Sequence, residues 1–272
     1  MLEKDVAVIL RDSVTIYVDV LRPAGAEKVP VIVAWSPYGK GQGTSRSVMG
    51  VFGLVGLDNG IVSGLEKFEG PDPAYWCAHG YAICNPDIRG VGNSEGDSVL
   101  WDRQEGEDCH DLVEWLAVQE WCSDVGFAKR LQDFSFRGQN LKEDILAEAE
   151  RYPLMSGLWG DKISRFDRIT VPAYVVASYS NTLHTAGTFR AWRRMASEEK
   201  WLRIHNSQEW PDYYDEANRE DLRRFFDHYL KGEDNEWEQT PRVRYCVLDL
   251  KGGDFTTLAE SPFDGENGAF AG

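Results

Sequence analysis

The chain has no C-x-x-C pair, no long uninterrupted apolar run, and far fewer basic than acidic side chains. Each absence excludes something. Cys77, Cys84, Cys109, Cys122 and Cys246 are odd in number and irregular in spacing. They read as reduced thiols, not as a disulfide framework or a zinc site. No stretch approaches the roughly 18 apolar residues of a membrane-spanning helix. The start, "MLEKDVAVILRDSV", lacks a basic segment followed by an apolar run, so the expected location is cytoplasmic. With 29 Lys and Arg against 45 Asp and Glu, the formal charge is −16. That charge argues against nucleic acid and anionic membrane surfaces as partners.

What is present suits a packed protein. Hydrophobic residues make up 42% of 272, with ten Trp, eleven Tyr and twelve Phe, enough for a sizeable core. "VTIYVDVLRP" and "VPVIVAW" read as strands, the second apolar enough to be buried on both faces. Residues 39–73 read as a long Gly-rich loop. "DPAYWCAHG" reads as a helix closed by Gly80 and "YAICNPD" as a strand. "QEGEDCHDLVEWLAVQ" sets Leu112, Trp115 and Leu116 at helical spacing, with acids in its first turn. "VPAYVVASYS", "GTFRAWRRMAS", "KWLRIHN" and "NREDLRRFFDHYLKG" continue as strand, helix, strand and helix, the last capped by Gly232. This alternation predicts an α/β fold with a mostly parallel, doubly wound sheet.

Two glycine-rich stretches invite a functional reading and fail it. "GNSEG", Gly92 to Gly96, spells G-x-S-x-G, the pattern that holds a nucleophilic serine on a tight turn between strand and helix. Ser94 lies seven residues past Asp87, where the strand ends, and the next helix begins only near Gln104. A loop at a strand end is the better reading. "GKGQG" and "RGVGNSEG" lack the following helix that a phosphate-cradling loop requires, so no nucleotide cofactor is expected.

In order, "RDSVTIYVDVLRP", "SPYGK", "YWCAHGYAICNPDIRGVGNSEG" and "EGEDCHDLVEWLAVQEWC" resemble the CocE/NonD hydrolases. These are α/β-hydrolases related to cocaine esterase and to the Xaa-Pro dipeptidyl-peptidases. The resemblance resumes in "VPAYVVASYSNTLHTAGTFRAW", "EEKWLRIHN" and "DLRRFFDHYLKG". It implies acyl transfer on an ester or amide of a small molecule or short peptide, with no cofactor or metal, and leaves homo-oligomerisation open. By the same resemblance Tyr38 would hold an oxyanion, His205 would be the general base, and Asn181 would stand where an acid is expected. The two histidines His184 and His205 lack metal-ligand spacing.

One part of the pattern is interrupted. After "EWCSD" the family continues into a strand and its G-x-S-x-G elbow, whereas this chain passes to "VGFAKRL". The sheet is therefore expected to be incomplete at its central strand, the nucleophile absent and the site impaired. Ser123, Ser178 and Ser180 are the nearest substitutes, without the small flanking residues of an elbow. The expected organisation is a hydrolase-like domain over 1–239, with a helical excursion about 127–168. The truncated start of a C-terminal β (jelly-roll-like) domain would follow over 240–272. Three readings stay open: an impaired hydrolase, a non-catalytic binding or scaffold descendant, and a shortened gene model.

Overall fold

A computed structural model describes residues 1–25, 27–41, 60–130, 141, 143–247 and 258–260. The described residues up to Ser164 form one compact unit and those from Arg165 onward form a second.

The first unit is built on strands β1 (Leu2–Ile9), β2 (Thr15–Leu21), β3 (Val29–Trp35), β4 (Ala82–Asp87) and β5 (Cys122–Arg130), in the order β1-β2-β4-β3-β5. β1 and β2 are antiparallel, β2 runs antiparallel to β4, and β3 lies parallel between β4 and β5. The chain leaves β3 for β4 on one side and then passes to β5 on the other. That reversal makes the C-terminal end of β3 a topological switch point, the place where open α/β sheets hold ligands.

Alternation along the strands sends Val18, Val20, Val31, Val33, Trp35 and Cys84 into one core with Leu112 and Leu116. The two leucines belong to helix α2 (Arg103–Ala117), which follows the short helix α1 (Pro73–Ala78) in chain order. Each such side chain contributes about 1.5–3 kcal/mol when fully buried. The start of α2 is fixed by Asp102, whose carboxylate accepts the Glu105 N–H at 2.9 Å. Glu105 in turn accepts the Trp101 N–H at 2.7 Å and the buried Trp35 indole N–H at 3.1 Å. The helix cap is thus tied to the central strand.

The α/β class holds, but one detail of the sequence reading needs correction. The central strand is not missing. β5 pairs with β3 through Val29↔Cys122, Val31↔Val125, Ile32↔Gly126 and Val33↔Phe127. "VGF" therefore continues the strand begun at Cys122; the good helix formers that follow it hide the strand in the sequence. Residues 127–130, expected to open a helical passage, are strand, and the helices described within 127–168 are α3 (Ile145–Arg151) and α4 (Gly157–Asp161), with a 3-10 turn at Phe166–Arg168. Residues 131–140 lie outside the described residues.

The second unit carries β6 (Ala173–Ser178), β7 (Lys200–His205), β8 (Val243–Cys246) and β9 (Leu258–Glu260), paired in that order. The first three are parallel and β9 is antiparallel to β8. Helices α5 (Thr185–Arg194), α6 (Glu209–Tyr214) and α7 (Glu216–Lys231) accompany them. Ala177, Leu202 and Ile204 pack against Phe189 and Trp192 of α5. On the other face, buried Trp201 meets Trp237 and Phe225 with ring centroids 5.4 and 6.2 Å apart. Gly232 ends α7 at φ +69°, a left-handed cap. The stretch assigned from sequence to a separate β segment contributes β8 to this same sheet, with Leu202↔Val243 and Arg203↔Arg244 in register. Residues 248–257 and 261–272 lie outside the described residues.

Asp87, the last residue of β4, anchors two loops of the first unit. Its carboxylate accepts the Lys40 N–H at 2.7 Å, and a Cβ on Gly92 (φ +59°) would fall 2.3 Å from it. Gly92→Ala should therefore cost about 2–4 kcal/mol, from backbone strain plus overpacking. Gly106→Ala in α2, where a Cβ meets open space, should gain about 0.5–1 kcal/mol. Urea melts of the two variants check both signs.

Candidate functional site

The first unit offers a strand-end site at the switch point. Tyr38 stands three residues past β3, half-buried, its ring edge-on to Phe68 at 4.7 Å. Beyond it Lys40 reaches Asp5 at 2.7 Å, Asp87 at 3.3 Å and Asp19 at 3.8 Å. Burial pushes the fully buried Lys67 ammonium down to about 7, against the attraction of Asp87 and Glu69. Charged groups therefore crowd the ends of β3 and β4. Ser94, the serine of the misleading G-x-S-x-G, is buried; its hydroxyl donates to the Asp87 carbonyl at 2.6 Å and accepts the Tyr17 N–H at 2.9 Å. It braces a loop and is not presented to solvent.

The second unit places His205 at the last position of β7, buried at 6% exposure. Its Nδ1 lies 3.1 Å from the Ser207 hydroxyl and 3.3 Å from Oδ1 of Asp212. The Ser207 hydroxyl can donate or accept, and the negative charge of Asp212, at ion-pair distance, favours a proton on Nδ1. Nε2 then carries the lone pair, and among the described residues it makes no hydrogen bond. Asp212 sits on α6, seven residues beyond His205, and the sequence reading missed it.

Asp212 is not His205's alone. Arg203, two residues before His205 and on the same face of β7, grips both carboxylate oxygens, Nη1 to Oδ1 at 2.9 Å and Nη2 to Oδ2. The Asn218 amide donates to the same carboxylate at 3.2 Å and to the Asp212 carbonyl at 3.0 Å. Burial pushes His205 down to about 4; Asp212 opposes that shift and Arg203 adds to it. The imidazole is therefore neutral at physiological pH.

The other residues singled out in the sequence are placed as follows. Asn181 does not meet His205. Its side-chain oxygen accepts the N–H groups of Leu183 and His184 at 2.8 and 2.7 Å, and its amide donates to Glu209. It closes the turn into α5, and His184 is the residue preceding that helix. Ser178 and Ser180 both donate to the Ser207 carbonyl, at 2.8 and 2.9 Å. They tie β6 to the segment after β7. Ser123 is exposed near the start of β5, at the strand end opposite to that where such sheets hold their sites. Burial raises the Cys122 thiol, as suits a packed cysteine. Among the described residues no group of three His, Cys, Asp or Glu side chains is arranged to hold a metal, and no helix is long and apolar enough to cross a membrane.

Comparison with known proteins agrees with this frame. Residues 12–127 match the family model described as X-Pro dipeptidyl-peptidase (S15 family). The match runs from the β1–β2 turn and stops inside β5. Cocaine esterase from Rhodococcus sp. (strain MB1 Bresler) is 30% identical over 118 residues, 43% of this chain and 17% of that protein. The crystal structure of a CocE/NonD family hydrolase from Staphylococcus aureus superposes with a TM-score of 0.81 at 28% identity. It covers 91% of this chain and 54% of its own.

This chain is similar in sequence and fold to the CocE/NonD hydrolases.

It spans about half the length of that structural relative and a smaller part of the curated one. An aminopeptidase from a marine sediment archaeon (Thaumarchaeota archaeon) shares the fold at a TM-score of 0.63 and 12% identity.

The depressed His205 value has a consequence for stability. The unfolded chain takes up this proton near the ordinary 6.5 and the folded chain only near 4. The group's contribution is therefore complete above about pH 6.5, falls as pH drops towards 4, and is level below that. Urea-unfolding free energies measured from pH 7.5 to 3.5 should show this slope in the native chain and a shallower one in His205→Gln.

Proposed function

We propose that this chain is an impaired hydrolase of the CocE/NonD type, acting on an ester or amide bond of a small molecule or short peptide. The observation that carries the reading is His205: a buried neutral imidazole at a strand's C-terminal end, Nδ1 beside Asp212 and Ser207, with no hydrogen bond at Nε2 among the described residues. Such a group can accept a proton from a nucleophile attacking a carbonyl and return it to the leaving group. Tyr38, at the switch point of the first unit, fits the role of an oxyanion donor by family resemblance.

The impairment follows from the nucleophile. From Ala128 to Asn140, "AKRLQDFSFRGQN", no G-x-S-x-G is spelled. Ser178 and Ser180 spend their hydroxyls on the Ser207 carbonyl, and the Ser207 hydroxyl lies against Nδ1, not on the Nε2 side of the ring. Water, deprotonated by Nε2 as it attacks, is the nucleophile that remains, and the leaving alkoxide or amine recovers the proton from the imidazolium. Loss of the serine from an intact triad costs on the order of a millionfold in kcat, so turnover should be slow.

Activated p-nitrophenyl esters and a fluorophosphonate probe test this. Slow ester turnover that disappears in His205→Ala, with no fluorophosphonate adduct, is the expected result. Turnover unchanged in His205→Ala would exclude the base. A stoichiometric adduct, mapped by mass spectrometry to Ser135 or any other serine, would restore the covalent route. No turnover together with saturable, unreacted ester binding would mark a binding descendant.

A further inference from the structure

Resting on that reading of His205, we propose that Asp212 has taken the carboxylate role that Asn181 cannot fill, and that Arg203 is a positioning residue that governs how much of Asp212's charge the imidazole feels. The family position for the acid follows β6, and there Asn181 spends its amide and its oxygen on Glu209, Leu183 and His184. Asp212 approaches His205 from the other direction along the chain. It arrives on α6, which folds back over the end of β7.

The geometry gives Asp212 two tasks of different strength. Orientation is secured. The carboxylate is 7% exposed, held at both oxygens by Arg203 and at Oδ1 by Asn218, with Oδ1 left 3.3 Å from Nδ1. An acceptor fixed there selects the Nδ1–H tautomer and aims the Nε2 lone pair. Charge stabilisation is not secured. A guanidinium bound to both oxygens offsets part of the field that an imidazolium would feel; Arg244, in register on the next strand, is itself paired with Asp221. Asp212 and Arg203 are the charged groups that act on His205 directly; Ser207 and Ser178 beside it are neutral.

The result is a base with the right tautomer and little affinity for the proton it must accept. General-base efficiency is best when the base titrates near the working pH. Burial makes the base weak and Arg203 weakens it further against the pull of Asp212, while Asp212 sets its direction. The two functions, carried by one aspartate in an ordinary triad, are here divided between a carboxylate and its counter-ion.

Ring nitrogen-15 NMR of His205 in the whole chain reads both quantities without any substrate. In the native chain the spectrum should show the Nδ1–H tautomer down to about pH 5. Arg203→Gln should raise the titration midpoint by at least one pH unit, and Arg203→Lys should restore most of the native value. Asp212→Asn should leave the ring neutral at all pH values above 4 and admit the Nε2–H tautomer, whereas Ser207→Ala should not. If Arg203→Gln fails to fold, the neutral pair Arg203→Gln with Asp212→Asn leaves no lone buried charge, and its midpoint should lie above that of Asp212→Asn, where Arg203 stands unpaired beside the ring. An unmoved midpoint in Arg203→Gln, a neutral pair that titrates no higher than Asp212→Asn, or an unchanged tautomer in Asp212→Asn would overturn the proposal. Because no ester is present, absence of hydrolysis with these shifts intact would count against the hydrolase reading alone.

Discussion

The pairing of Arg203 with Asp212 is the contact on which the site of the second unit depends. An arginine in the middle of a buried strand is costly unless its charge is met. Asp212 meets it at both oxygens. In doing so the pair fastens α6 to β7 and carries a carboxylate to within 3.3 Å of His205. One electrostatic requirement of the fold thereby places a carboxylate beside the imidazole. The same requirement limits it, because a carboxylate shared with a guanidinium has less charge to lend.

The first unit shows a parallel economy. Asp87 ends β4, receives the Lys40 N–H, and leaves room only for glycine at position 92. The loop after β3, which carries Tyr38, and the loop "RGVGNSEG" are held by one carboxylate. The motif that spells a nucleophile elbow is thus spent on loop anchorage, and Ser94 serves the backbone on both sides of its hydroxyl. A spelling of G-x-S-x-G has catalytic meaning only where strand and helix flank it directly.

Much of the frame was legible in the sequence because it rests on local pattern: the apolar run of β3, the helical spacing of Leu112 and Leu116, the glycine after α7. His205 was legible because it ends a strand pattern. β5 was misread because Lys129 and Arg130, good helix formers, obscure a strand that its pairing with β3 secures. The carboxylate that lies beside His205 went unread for a different reason. Asn181 was chosen by position relative to β6, whereas Asp212 is brought in by the turn between β7 and α6, which no periodicity reports. A signal was present all the same. Arg203 in "WLRIH" interrupts a buried strand and calls for a nearby acid.

The central claim is that a competent imidazole persists without a covalent partner. Rapid-quench kinetics with an activated p-nitrophenyl ester test it most directly. The account predicts linear release of nitrophenol from the first turnover, with no burst, and its loss when His205 is replaced. A burst equal to the protein concentration, with the acyl group retained on the chain, would contradict it.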